Sequence, residues 1–377
     1  MANRPLILNR DTIAAIAANF PLHGRLLSAL PYGNGHINET LVVSFDQAGS
    51  QVRYIFQRIN HHIFKNVPQL MENISRVTSH LAGDNQIALT LVPTNEGKPF
   101  YKTLEGDYWR IYLFIEHAQT FDAVESPQQA FEAARAFGHF QQSLANLPGS
   151  RLHETIPDFH NTPKRLEALR KAADADVAGR KKEVLGELDF AYQRESECGR
   201  LLELVKAGQI PERITHNDTK LNNVMIHNIT GKGICVIDLD TVMPGLSLYD
   251  FGDLVRFATN TAAEDETDLS KIGVSLPVFE AIVKGYVDGI GDILTEAEWE
   301  NLVFAGKLMT YEVGIRFLTD YLQGDVYFKT KRPGHNLDRA RNQLRLVERI
   351  EASTDTMSAI VSRQKATRLI DSKILIS

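Results

Sequence analysis

Cysteine is scarce in this chain of 377 residues, which contains only Cys198 and Cys235, in unrelated sequence contexts. Two such thiols cannot build a disulfide framework or a zinc site made of cysteine thiolates. Disulfides accumulate in oxidising compartments, so a chain that makes so little use of cysteine fits a reducing one. We therefore expect a cytoplasmic protein.

Long apolar runs are missing as well. A membrane-spanning helix needs about 18 or more consecutive apolar residues, and no segment of the sequence provides them. The N-terminal stretch MANRPLILNRDTIAAIAANF is broken by Asn9, Arg10 and Asp11, unlike the apolar region of a signal peptide. We expect neither secretion nor a membrane partner.

Positive charge is not in excess. Lys and Arg number 41 against 47 Asp and Glu, which gives a net charge of −6, and the isoelectric point is near 6.1. Nucleic-acid binding depends on clustered Lys and Arg, and the sequence contains no basic block, so nucleic acid is not an expected partner. The 43% of apolar residues in a chain of this length is enough for more than one core.

The sequence changes character near residue 117. Before it, β-like runs are separated by Gly, Asn and Asp, as in antiparallel hairpins. These runs are TLVVSF (40–45), VRYIFQRI (52–59), IALTLV (87–92) and YWRIYLFI (108–115), and a helix at 66–82 interrupts them. After residue 117, helical spacing of apolar residues dominates. It begins near 126 and recurs at 275–290, 296–323 and 335–352, with a return to β-like runs at 213–240.

This pattern predicts an α+β protein with two lobes. Residues 1–117 would form a small antiparallel β lobe, and residues 118–353 a large, mainly helical lobe. Residues 354–377 would be a terminal helix or a loose tail.

The most informative stretch is ITHNDTKLNNVMI, residues 214–226. It contains the pattern H-x-D-x-K-x-x-N as His216, Asp218, Lys220 and Asn223. Phosphoryl transfer needs a carboxylate that orients the attacking hydroxyl and accepts its proton, and an amide oxygen that binds Mg²⁺. A lysine nearby offsets the negative charge of the transferring group. We predict Asp218 and Lys220 as catalytic residues and Asn223 as a metal ligand.

A second metal ligand is predicted at Asp238. The stretch GKGICVID forms a turn and a short buried strand that ends at Asp238, fifteen residues after Asn223, which is enough for one hairpin. Asp240 could be a second metal contact or point to solvent. Asp250, in a literal Asp-Phe-Gly triplet, precedes an apolar helical run and is expected to be a helix cap or a hydrogen-bond acceptor that supports the catalytic loop.

The β lobe offers residues for the nucleotide. In PYGNGHINET, Gly33 and Gly35 could let backbone N–H groups approach phosphates, although a plain hairpin turn fits them too. His36 and Asn38 at this tip suggest a role with the acceptor.

A strand cation paired with a helix carboxylate should hold the α- and β-phosphates. For this pair we predict Arg58 and Glu72, with Gln57 as the alternative if the strand register differs.

Taken together, these motifs resemble those of the aminoglycoside phosphotransferase and choline kinase superfamily, which has a protein-kinase-like fold. Within it, six stretches are similar to the N-acetylhexosamine 1-kinases between about residues 30 and 350: YGNGHINET, FQRIN, LMENI, HNDTKLNNVM, VIDLDTVMPGLSLYDFGD and HNLDRARNQLRLV. The chain lacks the strand lysine and the Ala-Pro-Glu motif of protein kinases, so protein substrates are not expected.

The resemblance implies a specific reaction. It implies ATP-dependent phosphorylation, with Mg²⁺, of the anomeric hydroxyl of N-acetylglucosamine or N-acetylgalactosamine, with Asp218 as the base. It also implies that the sugar is contacted at four positions: His36, Phe257, Arg316 and Tyr327. The alternatives are a kinase of another small alcohol, such as an aminoglycoside, choline or homoserine, and an inactive nucleotide-sensing module.

Overall fold

The computed structural model of the protein describes residues 10–33, 37–83 and 87–374. Contacts within the chain divide it into two units. The first consists of Met1–Ala118, Asn146–Ile156 and Cys235–Met243, and the second of Gln119–Ala145, Pro157–Ile234 and Pro244–Ser377. Residues 146–156 and 235–243, which the sequence pattern assigned to the helical lobe, thus belong to the first unit.

The first unit is built on an antiparallel sheet. Its elements are α1 (Arg10–Ala17), β1 (Arg25–Pro31), β2 (Glu39–Gln47), β3 (Ser50–Ile59), α2 (Val67–Gly83), β4 (Leu91–Val92), β5 (Tyr101–Lys102) and β6 (Tyr108–Leu113). The strand order is β1-β2-β3-β6-β4, and β5 also pairs with β6. Gln57 on β3 faces Arg110 on β6 in this register.

The sheet and α2 confirm the predicted pattern. Period-two alternation places Leu41, Val43 and Phe45 of β2 in the core of this unit, where they join Phe56 and Trp109. The run at 87–92 was expected to be a strand throughout. Only its last two residues form one, β4. Pairing of β4 with β6 involves only Leu91 and Val92.

The second unit is mainly helical. After β7 (Ala118–Gln119) come α3 (Pro127–Leu144), α4 (Thr162–Ala175), α5 (Leu185–Gln193), α6 (Arg200–Lys206), β8 (Arg213–Thr215), β9 (Val224–His227), β10 (Gly233–Val236), β11 (Met243–Gly245), α7 (Ser247–Thr259), α8 (Leu276–Ile290), α9 (Glu296–Glu300), α10 (Leu302–Leu322), α11 (His335–Ala352) and α12 (Thr354–Ile374). The strands β7, β10 and β11 have residues in both units. The predicted helices correspond to α3, α8, α9 with α10, and α11. The terminal segment is helical, the first of the two alternatives.

Local signals explain where the helices begin. Ser126 caps α3 by accepting the N–H of Gln129, and Pro127 occupies the first turn, where its missing N–H has no helical partner to lose. Thr295 and Glu298 form a reciprocal capping box at the start of α9. Among the described residues, no helix has both the length and the apolar character that a bilayer crossing requires.

Candidate active site

The loop after β8 carries the predicted catalytic residues. Asp218 pairs with Lys220, whose Nζ lies 2.7 Å from Oδ1. Nδ2 of Asn223 donates to the backbone oxygen of Asp218 at 2.8 Å and to its Oδ2 at 3.3 Å. The side chain of Asp218 is 30% exposed. The structure therefore brings these three predicted residues together in the second unit, with the carboxylate open to solvent on one side.

The charge of Asp218 is set by its neighbours. Burial raises the pKa of a carboxyl group, but the charge and hydrogen bond of Lys220, together with the charges of His216 and Arg256, outweigh this effect, and the pKa of Asp218 is lowered. The pKa of Lys220 is raised because Asp218 and Asp253 outweigh its own burial. At neutral pH the pair is therefore a carboxylate beside an ammonium group, and Asp218 carries no proton.

Asn223 is oriented like a metal ligand. Because its amino group donates to Asp218, its Oδ1 is the atom left for a ligand, and among the described residues no donor occupies it. An amide oxygen is a suitable ligand for Mg²⁺. The donor set and this orientation fit the predicted role.

Two aspartates of α7 hold the catalytic loop by its backbone. Asp250 accepts the N–H groups of His216 at 2.9 Å and Asn217 at 2.7 Å, and Asp253 accepts that of Thr219 at 3.0 Å. Asn217 itself has φ of 65°, in the left-handed region. The prediction that Asp250 supports the loop is confirmed, and α7 begins without a side-chain cap. Asp253, one turn further on, is a supporting residue that the sequence analysis missed.

Gly252 has a packing role in the Asp-Phe-Gly triplet. A Cβ added there would lie 2.4 Å from the backbone oxygen of Ala305, so glycine lets α7 approach α10 closely. This approach sets the position of α7, and with it the position of the two aspartates that hold the loop. The triplet is thus part of the loop's support.

Asp238 and Asp240, both in the first unit, differ sharply in environment. Asp238 is exposed and has φ of 60°, a left-handed conformation that Asp tolerates better than most residues. Asp240 is buried, forms an ion pair with Arg110 and accepts a hydrogen bond from Asn38. The carboxylate of Asp240 is therefore occupied by protein donors, and the metal-ligand role of Asp238 stays a prediction.

Arg110 is a functional candidate that the sequence analysis missed. It is 1% exposed, and its Nε donates to Oε1 of Gln57 at 2.9 Å. Burial lowers the pKa of a guanidinium, but Asp240, Tyr112 and, more weakly, Asp238 together outweigh it and raise the pKa of Arg110. The sequence did contain a signal for Arg110, since it is the one charged residue in the apolar run YWRIYLFI. Asn38 accepts the N–H of Asn60 and donates to Asp240, and its expected role with the acceptor stays a prediction.

Family membership follows from comparison with known proteins. The model of the phosphotransferase enzyme family matches residues 28–273, more than half of the chain. The chain belongs to the phosphotransferase enzyme family.

Solved structures share the fold of this phosphotransferase. An aminoglycoside phosphotransferase from Alicyclobacillus acidocaldarius subsp. acidocaldarius DSM 446 is 14% identical, with 96% of this chain and 98% of that chain covered and a TM-score of 0.65. A spectinomycin phosphotransferase in complex with ADP and spectinomycin is 14% identical, with coverage of 91% and 98% and a TM-score of 0.59. An amicoumacin kinase in complex with AMP-PNP, Ca²⁺ and Ami is 12% identical, with coverage of 89% and 93% and a TM-score of 0.56. The predicted kinase-like α+β fold is confirmed.

The expected nucleotide cation of this phosphotransferase has different partners. Arg58 is buried and pairs with Glu39 at 2.7 Å and Asp107 at 3.2 Å. Glu72 is exposed and lies 2.9 Å from Nε2 of His153. Strand neighbours on both sides of Arg58 thus supply carboxylates, and Glu72 contacts a histidine. The role of Arg58 and Glu72 with the phosphates stays a prediction. On the opposite face, Gln57 contacts Arg110, so the cation on that side comes from β6.

Of the two glycines predicted to approach phosphates, Gly33 is among the described residues. It has φ of 73°, in the left-handed region that favours glycine, and no atom of the described residues lies within 4 Å of a Cβ added to it. Gly35 and His36 lie outside the described residues. Their predicted roles remain predictions.

The three other sugar-facing candidates lie in the second unit of this phosphotransferase. Phe257 is half-buried on α7, next to the buried Arg256. Arg316 is half-buried on α10, and its guanidinium lies over the rings of Phe159 at 5.1 Å and Phe328 at 5.7 Å. Tyr327, in the loop after α10, is 57% exposed.

His160 links helix α10, which carries Arg316, to the loop that carries Asp218. Its Nε2 lies 3.0 Å from the backbone oxygen of Asn217, and its Nδ1 lies 2.8 Å from Oε1 of Glu312. A backbone oxygen only accepts, so Nε2 carries a proton and donates it to Asn217. Glu312 lies one helical turn before Arg316. The residue before His160, Phe159, lies under the guanidinium of Arg316. His160 thus connects the backbone of Asn217 to α10.

Proposed function

We propose that this phosphotransferase transfers the γ-phosphoryl group of ATP to the anomeric hydroxyl of an N-acetylhexosamine, which gives the sugar 1-phosphate. The observation that carries the proposal is the Asp218 loop. In this loop the partly exposed carboxylate of Asp218 lies beside Lys220 and the amide of Asn223. Two buried aspartates hold the backbone of the loop. A loop fixed in this way favours a reaction in which positioning contributes much of the rate.

Each residue has one task in this reaction. The acceptor hydroxyl attacks the γ-phosphorus, the new P–O bond forms as the bond to the ADP oxygen breaks, and the hydroxyl proton moves to Asp218. Lys220 offsets negative charge near the transferring group. Asn223 would hold Mg²⁺, which would neutralise charge on the phosphates, and Asp238 stays a predicted metal ligand.

The charge around Arg316, one of the residues predicted to face the sugar, supports a neutral sugar over a cationic acceptor. Arg316 makes no hydrogen bond or ion pair with any described residue, and its charge contributes to lowering the pKa of Arg165. The nearby carboxylate of Glu312 is already held by His160 and Thr162. Aminoglycosides and choline would meet positive charge here without a free carboxylate.

An aromatic face beside directed donors suits a neutral sugar. The guanidinium of Arg316 over two rings also favours a second candidate, an acceptor that carries its own carboxylate, such as homoserine. Both candidates use the same loop and differ only in the acceptor.

An acceptor panel tests the proposal directly. N-acetylglucosamine, N-acetylgalactosamine, homoserine, choline and an aminoglycoside would each be incubated with Mg²⁺ and ATP, and the product identified by phosphorus NMR. We expect a sugar 1-phosphate. Turnover of choline or an aminoglycoside alone would contradict the argument from charge.

Replacing the base tests the mechanism. Asp218→Asn should lower kcat by about 10²–10⁴-fold with little change in the KM for ATP, because the amide keeps the shape but cannot take the proton. Glu167→Gln is a matched control, since Glu167 is also paired with a lysine, at 2.6 Å, but lies exposed on α4. Undiminished turnover in Asp218→Asn would remove Asp218 from this role.

A further inference from the structure

The buried carboxylate of Asp320 gathers three consecutive backbone amides. Asp320 lies close to the C-terminal end of α10 and is 2% exposed. Its Oδ1 accepts the N–H groups of Val326 at 2.9 Å and Tyr327 at 2.7 Å, and its Oδ2 accepts that of Phe328 at 2.9 Å. Asn336 on α11 donates to Oδ2 as well, at 2.9 Å. One carboxylate therefore fixes the loop that follows α10.

Other contacts hold the same loop at its start. Asp325 has φ of 62°, and its N–H donates to the backbone oxygen of Asp320 at 2.8 Å. Its carboxylate accepts hydrogen bonds from Arg180 at 2.6 Å and Asn336 at 2.9 Å. Three successive N–H groups converge on one anion only in a narrow range of backbone conformations. The loop is thus tightly specified, although it lies at the surface.

The side chain that this loop presents is exposed. Tyr327 has its backbone held by Asp320, while the residue is 57% exposed. Its ring packs edge-on against Phe328, with 4.8 Å between centroids, and Phe328 lies under the guanidinium of Arg316. Such rigid support of an exposed tyrosine is typical of a recognition side chain.

We propose that Asp320 is a positioning residue that holds Tyr327 against the acceptor. In this arrangement α10 serves the acceptor twice, directly through Arg316 and, one turn later, indirectly through Asp320. Glu312, one turn earlier, lies on the same stripe of the helix and holds His160. The inference rests on the proposed function, because it requires Tyr327 to contact the acceptor.

Asp320→Asn is the first test. Asparagine supplies one oxygen, and its amino group would face at least one N–H of the loop, so Tyr327 should lose its fixed position. We expect the KM for the acceptor to rise roughly tenfold or more, with the KM for ATP unchanged. The matched control is Glu298→Gln, in the same unit. Glu298 is also fully buried, accepts the N–H of Thr295 and pairs with Arg213, and its loss should lower stability without changing the KM for the acceptor.

A double-mutant cycle with Tyr327→Ala separates positioning from general destabilisation. If Asp320 acts through Tyr327, then Asp320→Asn should add little to the KM for the acceptor once Tyr327 is alanine. Fully additive effects, or equal rises in both KM values, would overturn the inference while leaving the proposed function intact. An unchanged KM in Tyr327→Ala alone would instead refute the placement of Tyr327 at the acceptor, and the inference with it. Should Asp320→Asn fail to fold, Asp325→Asn should give a smaller rise in the same direction, and no rise would count against the inference.

Discussion

Asp250 offers a sharp test of how the catalytic loop is held. Its carboxylate accepts the N–H groups of His216 and Asn217, and Nε2 of Gln141 donates to it at 2.5 Å. Asp250→Asn keeps the shape but leaves one acceptor oxygen. If that oxygen retains the N–H of Asn217, the new amino group faces the N–H of His216, and a buried backbone donor loses its partner.

The effect on stability is the difference of two opposing contributions. A buried donor without an acceptor costs about 1–3 kcal/mol. Burial, however, raises the pKa of Asp250, and this outweighs the lowering by His216, the two amides and Gln141. A carboxyl group whose pKa is raised by folding contributes stability at low pH and loses it as the pH rises through the folded pKa. The ionised carboxylate therefore costs folding free energy at pH 7, and Asn removes that cost. We expect a net decrease of about 1 kcal/mol in the free energy of unfolding.

The effect on turnover should be larger. A displacement of about 1 Å in a catalytic group can cost about 100-fold in rate, so we expect kcat of Asp250→Asn to fall by about 10–100-fold at saturating substrates. Thermal unfolding and steady-state kinetics at pH 7 measure the two effects separately. As the pH is lowered, the wild type should gain stability relative to the variant, because protonation of Asp250 removes its cost. Wild-type kcat in Asp250→Asn would refute the argument, whatever happens to Tm.

Two further substitutions test the packing and the charges around the site. Gly252→Ala should lower the free energy of unfolding by about 1–3 kcal/mol, because the new Cβ would lie 2.4 Å from the backbone oxygen of Ala305. The control is Gly186→Ala on helix α5, where no described atom lies within 4 Å of the new Cβ. It should be neutral or stabilising in the same thermal unfolding assay. Arg110→Met should lower the free energy of unfolding by about 3–5 kcal/mol, because it leaves the buried Asp240 without its counter-charge. A decrease below about 1 kcal/mol in denaturant unfolding would contradict this and show that Asp240 is solvated by water.

Local sequence was enough to predict most of the elements and to show that Asp218, Lys220 and Asn223 lie together in one loop. The loop was recognisable because Asp218, Lys220 and Asn223 lie within six residues, where side chains are neighbours in any compact turn. Helices such as α8 and α11 were recognisable because apolar spacing repeats over several turns. The short strand β4 was overestimated, since pairing with β6, and not composition, decides where it begins.

The roles of individual charges depended on tertiary structure. The sequence left the role of Asp240 open, and its ion pair with Arg110, a residue 130 positions away, became apparent only in the folded chain. Arg58 likewise takes its partners from β2 and from the segment before β6, which no spacing rule connects to it.

The physical reason is that the role of a charged side chain depends on which counter-charges and hydrogen-bond donors surround it. Periodicity and capping act between residues a few positions apart and can be read from the sequence. Counter-charges and buried hydrogen-bond donors come from distant segments that meet only when the chain is folded. The sequence by itself therefore determined which side chains are available for phosphoryl transfer, and the folded arrangement decided which partners each carboxylate has.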